Sequence, residues 1–379
     1  MNTTGSADQR LTGYSKLSTR IYALSRFLRN DCAAALWQYR WLLGLSAIYF
    51  LVSAFCFHRV WRQVFFGFEL GAWLAIITSA VFVFFMVAVL AWQISWLVPR
   101  RQGSGAFRQR IAAKASPGRL VLALPALLLL GPFSTVFGKM KILIPLLNPF
   151  AYDPWLARAD AFLHGGRDAW QWLAPWLLNG PAISVLTLIY EVIWPSAVLY
   201  VLVHASLDVC ARRRMQCLYA YFGTWAILGT LLAIALSSAG PVFYAHVVGV
   251  PSPYDGLMAQ LVQLDAQGWI TPVALGQEIW QAHIKEEVDN VAFSISAMPS
   301  LHVAMACLTF LYCRRLGRAP GFVAGAYFAS IMVGSVMLGW HYALDGYVAI
   351  AGTCVIWWGA GKLAAITTAP EACCFGDPE

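Results

Sequence analysis

Charge is scarce in this chain. Only 12% of its 379 residues are Asp, Glu, Lys or Arg, against 60% apolar, a balance that leaves too little polar surface for a soluble domain. Strands of alternating apolar and polar residues are missing too, which excludes an outer-membrane barrel. Several uncharged runs do reach the roughly 20 residues that a helix needs to cross about 30 Å of hydrocarbon. The expected fold is therefore all-α: a polytopic membrane protein of about eight transmembrane helices, with a six-helix core and an interfacial helical segment. No small-residue cleavage site follows the first apolar run, so no signal peptide is expected. There are no internal repeats and no paired broken helices, which counts against a transporter or scaffold as the alternative, non-enzymatic reading. The nine cysteines show no disulfide or zinc spacing and read mostly as small apolar side chains. His164, His246 and His283 have no metal-ligand spacing with another histidine. No metal and no cofactor is expected.

The basic residues fix an orientation. Net charge is +8, but it is spread over short loops, a membrane-topology signature and not a nucleic-acid surface, so no nucleic-acid partner is expected. Residues 1–36 read as a basic cytoplasmic tail. Residues 37–118 read as an accessory pair of spans (41–57 and 70–98) with a basic cytoplasmic loop, where Arg100, Arg101, Arg108, Arg110, Lys114 and Arg119 stand with no acid among them. A membrane domain over 119–362 holds spans at 120–138, 181–203, 218–236, 300–313, 320–338 and 345–361, and 363–379 form a cytoplasmic tail. The connection 139–180, dense in tryptophan, is expected to lie in the outer interface. The acidic stretch from Ser238 to Leu301 also belongs outside. The expected location is an integral membrane protein, in a bacterial inner membrane, with its site facing the periplasm or exterior.

That topology, built from loop charge, brings His302, His341 and Asp345 to one membrane face. Pro299 and Ser300 read as a helix start, which sets His302 beside unpaired backbone N–H groups, a favourable place for a phosphate. His341 and Asp345 are four apart, so on a helix the carboxylate can hold one imidazole nitrogen. Two histidines and an acid can supply a nucleophile, an orienting partner and a general acid, the minimum for covalent phosphoryl transfer.

Pro299-Ser300-Leu301-His302 and His341-Tyr342-x-x-Asp345 resemble the second and third motifs of the type 2 phosphatidic acid phosphatase superfamily, and most closely its inositol phosphorylceramide synthase-like branch. The resemblance covers about residues 120–362. It implies that His341 attacks phosphorus, that Asp345 orients and charge-stabilises it, and that His302 protonates the leaving oxygen and later serves as base for the acceptor. The chain departs from the phosphatase pattern in two places. Ser335 stands where that form has an arginine six residues before the histidine, and Ser237-Ser238-Ala239-Gly240-Pro241 replaces the first motif with its lysine and arginine. A looser echo, Lys141 followed by Asn148-Pro149, makes Lys141 the favoured cation among Lys139, Lys141, Arg158, Arg167 and Lys285. Ser300, Tyr342, Ser238 and Glu191 complete the expected substrate-binding set. The implied function is transfer of a phospho-head group, in sphingolipid or related lipid metabolism. The donor would be a phospholipid or lipid phosphate and the acceptor a lipid or sugar alcohol. Hydrolysis of a lipid phosphate such as phosphatidate or a polyprenyl phosphate is the alternative.

Overall fold

The computed structural model describes residues 36–55, 117–285 and 294–368. The expected span at 70–98, the basic loop before Pro117 and most of both tails lie outside the described residues. Every regular element among those described is helical, and five helices are long and apolar enough to cross a membrane. The chain is an all-α integral membrane protein.

Helix α1 (36–55) packs on α2 (Pro117–Leu147) through Tyr49, which stacks on Phe133 with ring centroids 4.9 Å apart. Its Leu51 and Phe55 are exposed, as expected of a lipid-facing side. α2 runs past the expected end at 138 and carries Lys139 and Lys141 inside the helix. The chain continues as helix there because Leu143 and Ile144 are buried, so the apolar face persists for another two turns. Two short helices follow, α3 (Asp153–Leu163) and α4 (Ala169–Leu177), in the segment expected to lie in the interface. Neither is long enough to cross.

α5 occupies Gly180–Ser206. Asn179 caps it, accepting from Ala182 N at 3.1 Å, and a π-helical stretch interrupts it at Leu188–Ile193. α6 occupies Ala211–Ala235, with a second π-helical stretch at Ile227–Leu232. Two further short helices, α7 (Asp255–Ala266) and α8 (Val273–Ile284), come before the central element. This is α9 (Leu301–Cys313), surrounded by α5, α6, α10 (Arg318–Met337) and α11 (Ala343–Thr367). Because neighbours enclose it, nearly every residue from Val303 to Cys313 is buried, which explains an apolar run without a polar face. Its 13 residues rise only about 20 Å. The chain just before it is non-helical, and residues 297–300 are buried by the surrounding protein.

The spans beyond 119 fall close to the expected positions. One expectation fails: Cys210 is in a disulfide, while Cys217, Cys307, Cys313 and Cys354 are free. Spacing could not show this, since a bridge depends on which loops meet in space.

Candidate active site

Three connecting segments meet at one end of the bundle. Ala297 N donates to Ser238 O at 2.9 Å, Val242 N donates to Gly339 O at 2.8 Å, and Ser300 N donates to Asp345 O at 3.3 Å. The chain before α9, the chain after α6 and the turn before α11 are thereby stitched together. Gly240 sits in this seam at φ +89°, and a Cβ on it would lie 2.6 Å from Trp340 O. Only glycine permits both the conformation and the approach.

Ser300 begins α9, and its hydroxyl accepts from Val303 N at 3.4 Å, which spends Ser300 as an N-cap. His302 follows in the first turn. Its ring stacks on Tyr190 (centroids 4.2 Å, 14° between planes) and packs on Trp194 (4.0 Å). Trp194 Nε1 also donates to His302 O at 3.0 Å. Tyr190 and Trp194 come from the irregular middle of α5, a common setting for functional groups.

His341 and Asp345 stand at the start of α11. Asp345 Oδ2 lies 3.3 Å from His341 Nδ1 and accepts from Tyr342 N at 3.2 Å, while Oδ1 is buried with no partner. With Nδ1 engaged, the other ring nitrogen of His341 is the one available for chemistry. The His302 and His341 ring centroids are 6.4 Å apart, with the planes tilted by 54°. The structure thus brings His302, His341 and Asp345 together.

The expected binding residues divide. Lys141 stands in the last part of α2, and among the described residues it pairs with no carboxylate. Ser237 and Ser238 are fully buried beside the seam, and neither hydroxyl has a partner. The Tyr342 hydroxyl is already used, donating to Asp153 Oδ1 at 2.7 Å. Glu191 lies in the π-helical stretch next to Tyr190, with Oε1 buried and unpartnered.

Four contributors have no place in the expected site set. Tyr190 and Trp194 carry no motif. Asp153 and Asp160 do have a legible signal, two acids seven apart on a helix whose other inward residues are apolar. Asp153, fully buried, accepts from Ala239 N and Gly240 N, each at 2.9 Å. Asp160 accepts from Leu344 N at 2.8 Å. Burial pushes the Asp160 carboxyl above its ordinary range, opposed by the Leu344 amide and by the charge of His164.

A family model described as the PAP2 superfamily matches residues 154–361. No curated protein and no solved structure matches the chain. The match runs from the start of α3 to near the end of α11 and takes in both histidine segments, and the chain belongs to the PAP2 superfamily.

Proposed function

We propose that this member of the PAP2 superfamily is a membrane lipid phosphotransferase that moves a phospho-head group from a phospholipid to a hydroxyl acceptor through a phosphohistidine at His341. The observation that carries the reading is the Asp345–His341 contact at Nδ1, which leaves the second nitrogen of His341 on a ring facing His302.

In the first step that nitrogen attacks phosphorus. The phosphorus–oxygen bond to the lipid alcohol breaks, and His302 in its protonated form delivers a proton to the departing oxygen. In the second step the acceptor hydroxyl gives its proton to His302 and attacks the phosphohistidine, releasing His341. Asp345 fixes the ring tautomer and balances the positive charge that develops on the imidazole. Lys141 and the Ser237–Ser238 hydroxyls are suited to the phosphate oxygens by charge and by unspent hydrogen-bonding capacity.

Transfer is favoured over hydrolysis by the cation inventory. A phosphomonoester dianion calls for several charge-assisted bonds. Here serine replaces the arginine at position 335, and the Ser335 hydroxyl donates to Met332 O at 2.7 Å. A phosphodiester donor carries one negative charge, which a single lysine can balance. This fits a branch resembling inositol phosphorylceramide synthases, with the site on the exterior face of a bacterial inner membrane.

The test is to supply purified enzyme in lipid nanodiscs with labelled phospholipid, with and without a ceramide or long-chain alcohol. Faster donor consumption with acceptor, and label on the acceptor, is the expected result. Preference for a phosphomonoester lipid, with inorganic phosphate as the sole labelled product, would instead identify a lipid phosphate phosphatase.

A further inference from the structure

α3 has two faces of opposite character. Asp153, Leu156, Ala157 and Asp160 point inward and are buried, at the i, i+3, i+4, i+7 positions of one helical face. Trp155, Arg158 and Phe162 form the outward stripe, with Trp155 57% and Phe162 82% exposed.

The inward acids are unusual for their partners. A buried carboxylate is costly unless it is hydrogen-bonded or paired with a cation. Here no Lys or Arg among the described residues pairs with either acid. Asp153 is satisfied by Ala239 N, Gly240 N and the Tyr342 hydroxyl, and Asp160 by Leu344 N in the first turn of α11, with His164 Nδ1 3.8 Å from its other oxygen. Tyr342 and Leu344 lie between His341 and Asp345 in the chain. The two acids, about 10 Å apart along the helix, therefore hold the turn between His341 and Asp345 at two points, together with the seam at Gly240.

The outward stripe combines an aromatic ring at each end with a cation between, the pattern of a helix lying at the level of lipid head groups. Its surroundings agree. α4 exposes Trp172 and Trp176 and leads through Leu178 and Asn179 into the span α5, so the chain on either side of α3 belongs to a membrane-spanning bundle.

We propose that α3 is an interfacial clamp: its Trp155–Arg158–Phe162 stripe rests on phospholipid head groups of the site-side leaflet, and Asp153 and Asp160 are positioning residues that pass this seating to the catalytic turn. The idea rests on His341 and Asp345 being the reaction centre, so the test needs a readout independent of turnover. That readout is amide hydrogen exchange over residues 342–346 of the full-length protein in phospholipid nanodiscs. Trp155→Ser with Phe162→Ser, and separately Asp160→Asn, should each speed exchange there by on the order of tenfold, leaving 215–225 in α6 at the wild-type rate. The combined variant should add little, because both changes release the same element. Wild-type protection of 342–346 in the stripe variant, or fully additive loosening, would overturn the clamp.

A second measurement covers the case in which a variant does not fold. A nitroxide at position 162, introduced by Phe162→Cys on a chain with its other cysteines replaced, should be accessible to oxygen and shielded from a water-soluble nickel chelate. Accessibility to the chelate, or shielding from both reagents by a second copy of the chain, would overturn lipid seating. In assays of head-group transfer, Asp160→Asn should lower kcat about tenfold or more with KM unchanged, as expected for lost orientation. Faster exchange with turnover intact would support the clamp and count against His341 as nucleophile.

Discussion

The two ends of the helical bundle treat buried carboxylates in opposite ways. At the end away from His302, Asp208 is held by Arg213 through two bonds of 2.6 and 2.7 Å, by Cys210 N at 3.0 Å and by the Tyr312 hydroxyl at 2.9 Å. Arg214 and Arg119 both donate to the Asp208 carbonyl. At the site end, Asp153, Asp160 and Asp345 are held by backbone amides, a tyrosine and two histidines; among the described residues no Lys or Arg pairs with them, and Lys141 is left without a carboxylate partner. An acid neutralised by arginine closes a structural joint. Acids neutralised by dipoles leave the nearby cation for a ligand, and that asymmetry marks the working end more clearly than any one residue does.

The comparison is tested most severely at the site end. His341→Ala should abolish head-group transfer, because no covalent intermediate can form, and His302→Ala should cost on the order of 10² to 10⁴ in kcat. Both are read in a nanodisc transfer assay with folding checked by thermal melting. Near-normal turnover of the His341 variant would remove the phosphohistidine from the mechanism.

Asp345→Asn should fall between these limits, since the nucleophile remains and loses only its orientation and charge support. Trapping the labelled phosphoenzyme by acid quench should show it forming more slowly than in the wild type.

A milder outcome is expected at Lys141. Lys141→Gln should lower kcat/KM by roughly 10- to 100-fold, the loss of one charge-assisted hydrogen bond to phosphate, with Lys141→Arg recovering part of it. An unchanged kcat/KM would mean that some other cation holds the phosphate.

The opposite end should respond in stability and not in turnover. Asp208→Ala leaves the half-buried Arg213 guanidinium without its buried counterion and should cost about 3 kcal/mol, with kcat per folded molecule intact. Burial alone would raise the Asp208 carboxyl, but Arg213 and the other donors outweigh it and hold the group below its ordinary value. A depressed carboxylate contributes stability that is complete above the unfolded value of about 3.9 and is lost as pH falls through the folded one. Acid titration of the melting temperature should therefore show a loss below about pH 4 that the Asp208 variant lacks.

Much of the bundle is legible because membrane insertion is a one-dimensional problem. A run of apolar residues of sufficient length must be a buried helix wherever its neighbours lie, so the positions of α5, α6, α10 and α11 follow from the chain itself. Helix ends were harder. α2 continues through Lys139 and Lys141 because the far side of that turn is packed, which the order of residues does not reveal. The segments carrying His302, His341 and Asp345 stand out in the sequence because each lies within one turn of a helix start.

What sequence alone determined is what depends on neighbours in the chain: the all-helical membrane character, the spans and the spacing of the histidine–acid pair. Tertiary structure decided the rest. The aromatic bed of Tyr190 and Trp194 under His302, the diversion of Tyr342 to Asp153, and the hold of Asp153 and Asp160 on the turn between His341 and Asp345 join residues 86 to 189 positions apart. Hydrogen bonds and ring contacts act over a few ångströms of space, so partners that far apart in the chain leave no periodicity or motif by which sequence could pair them.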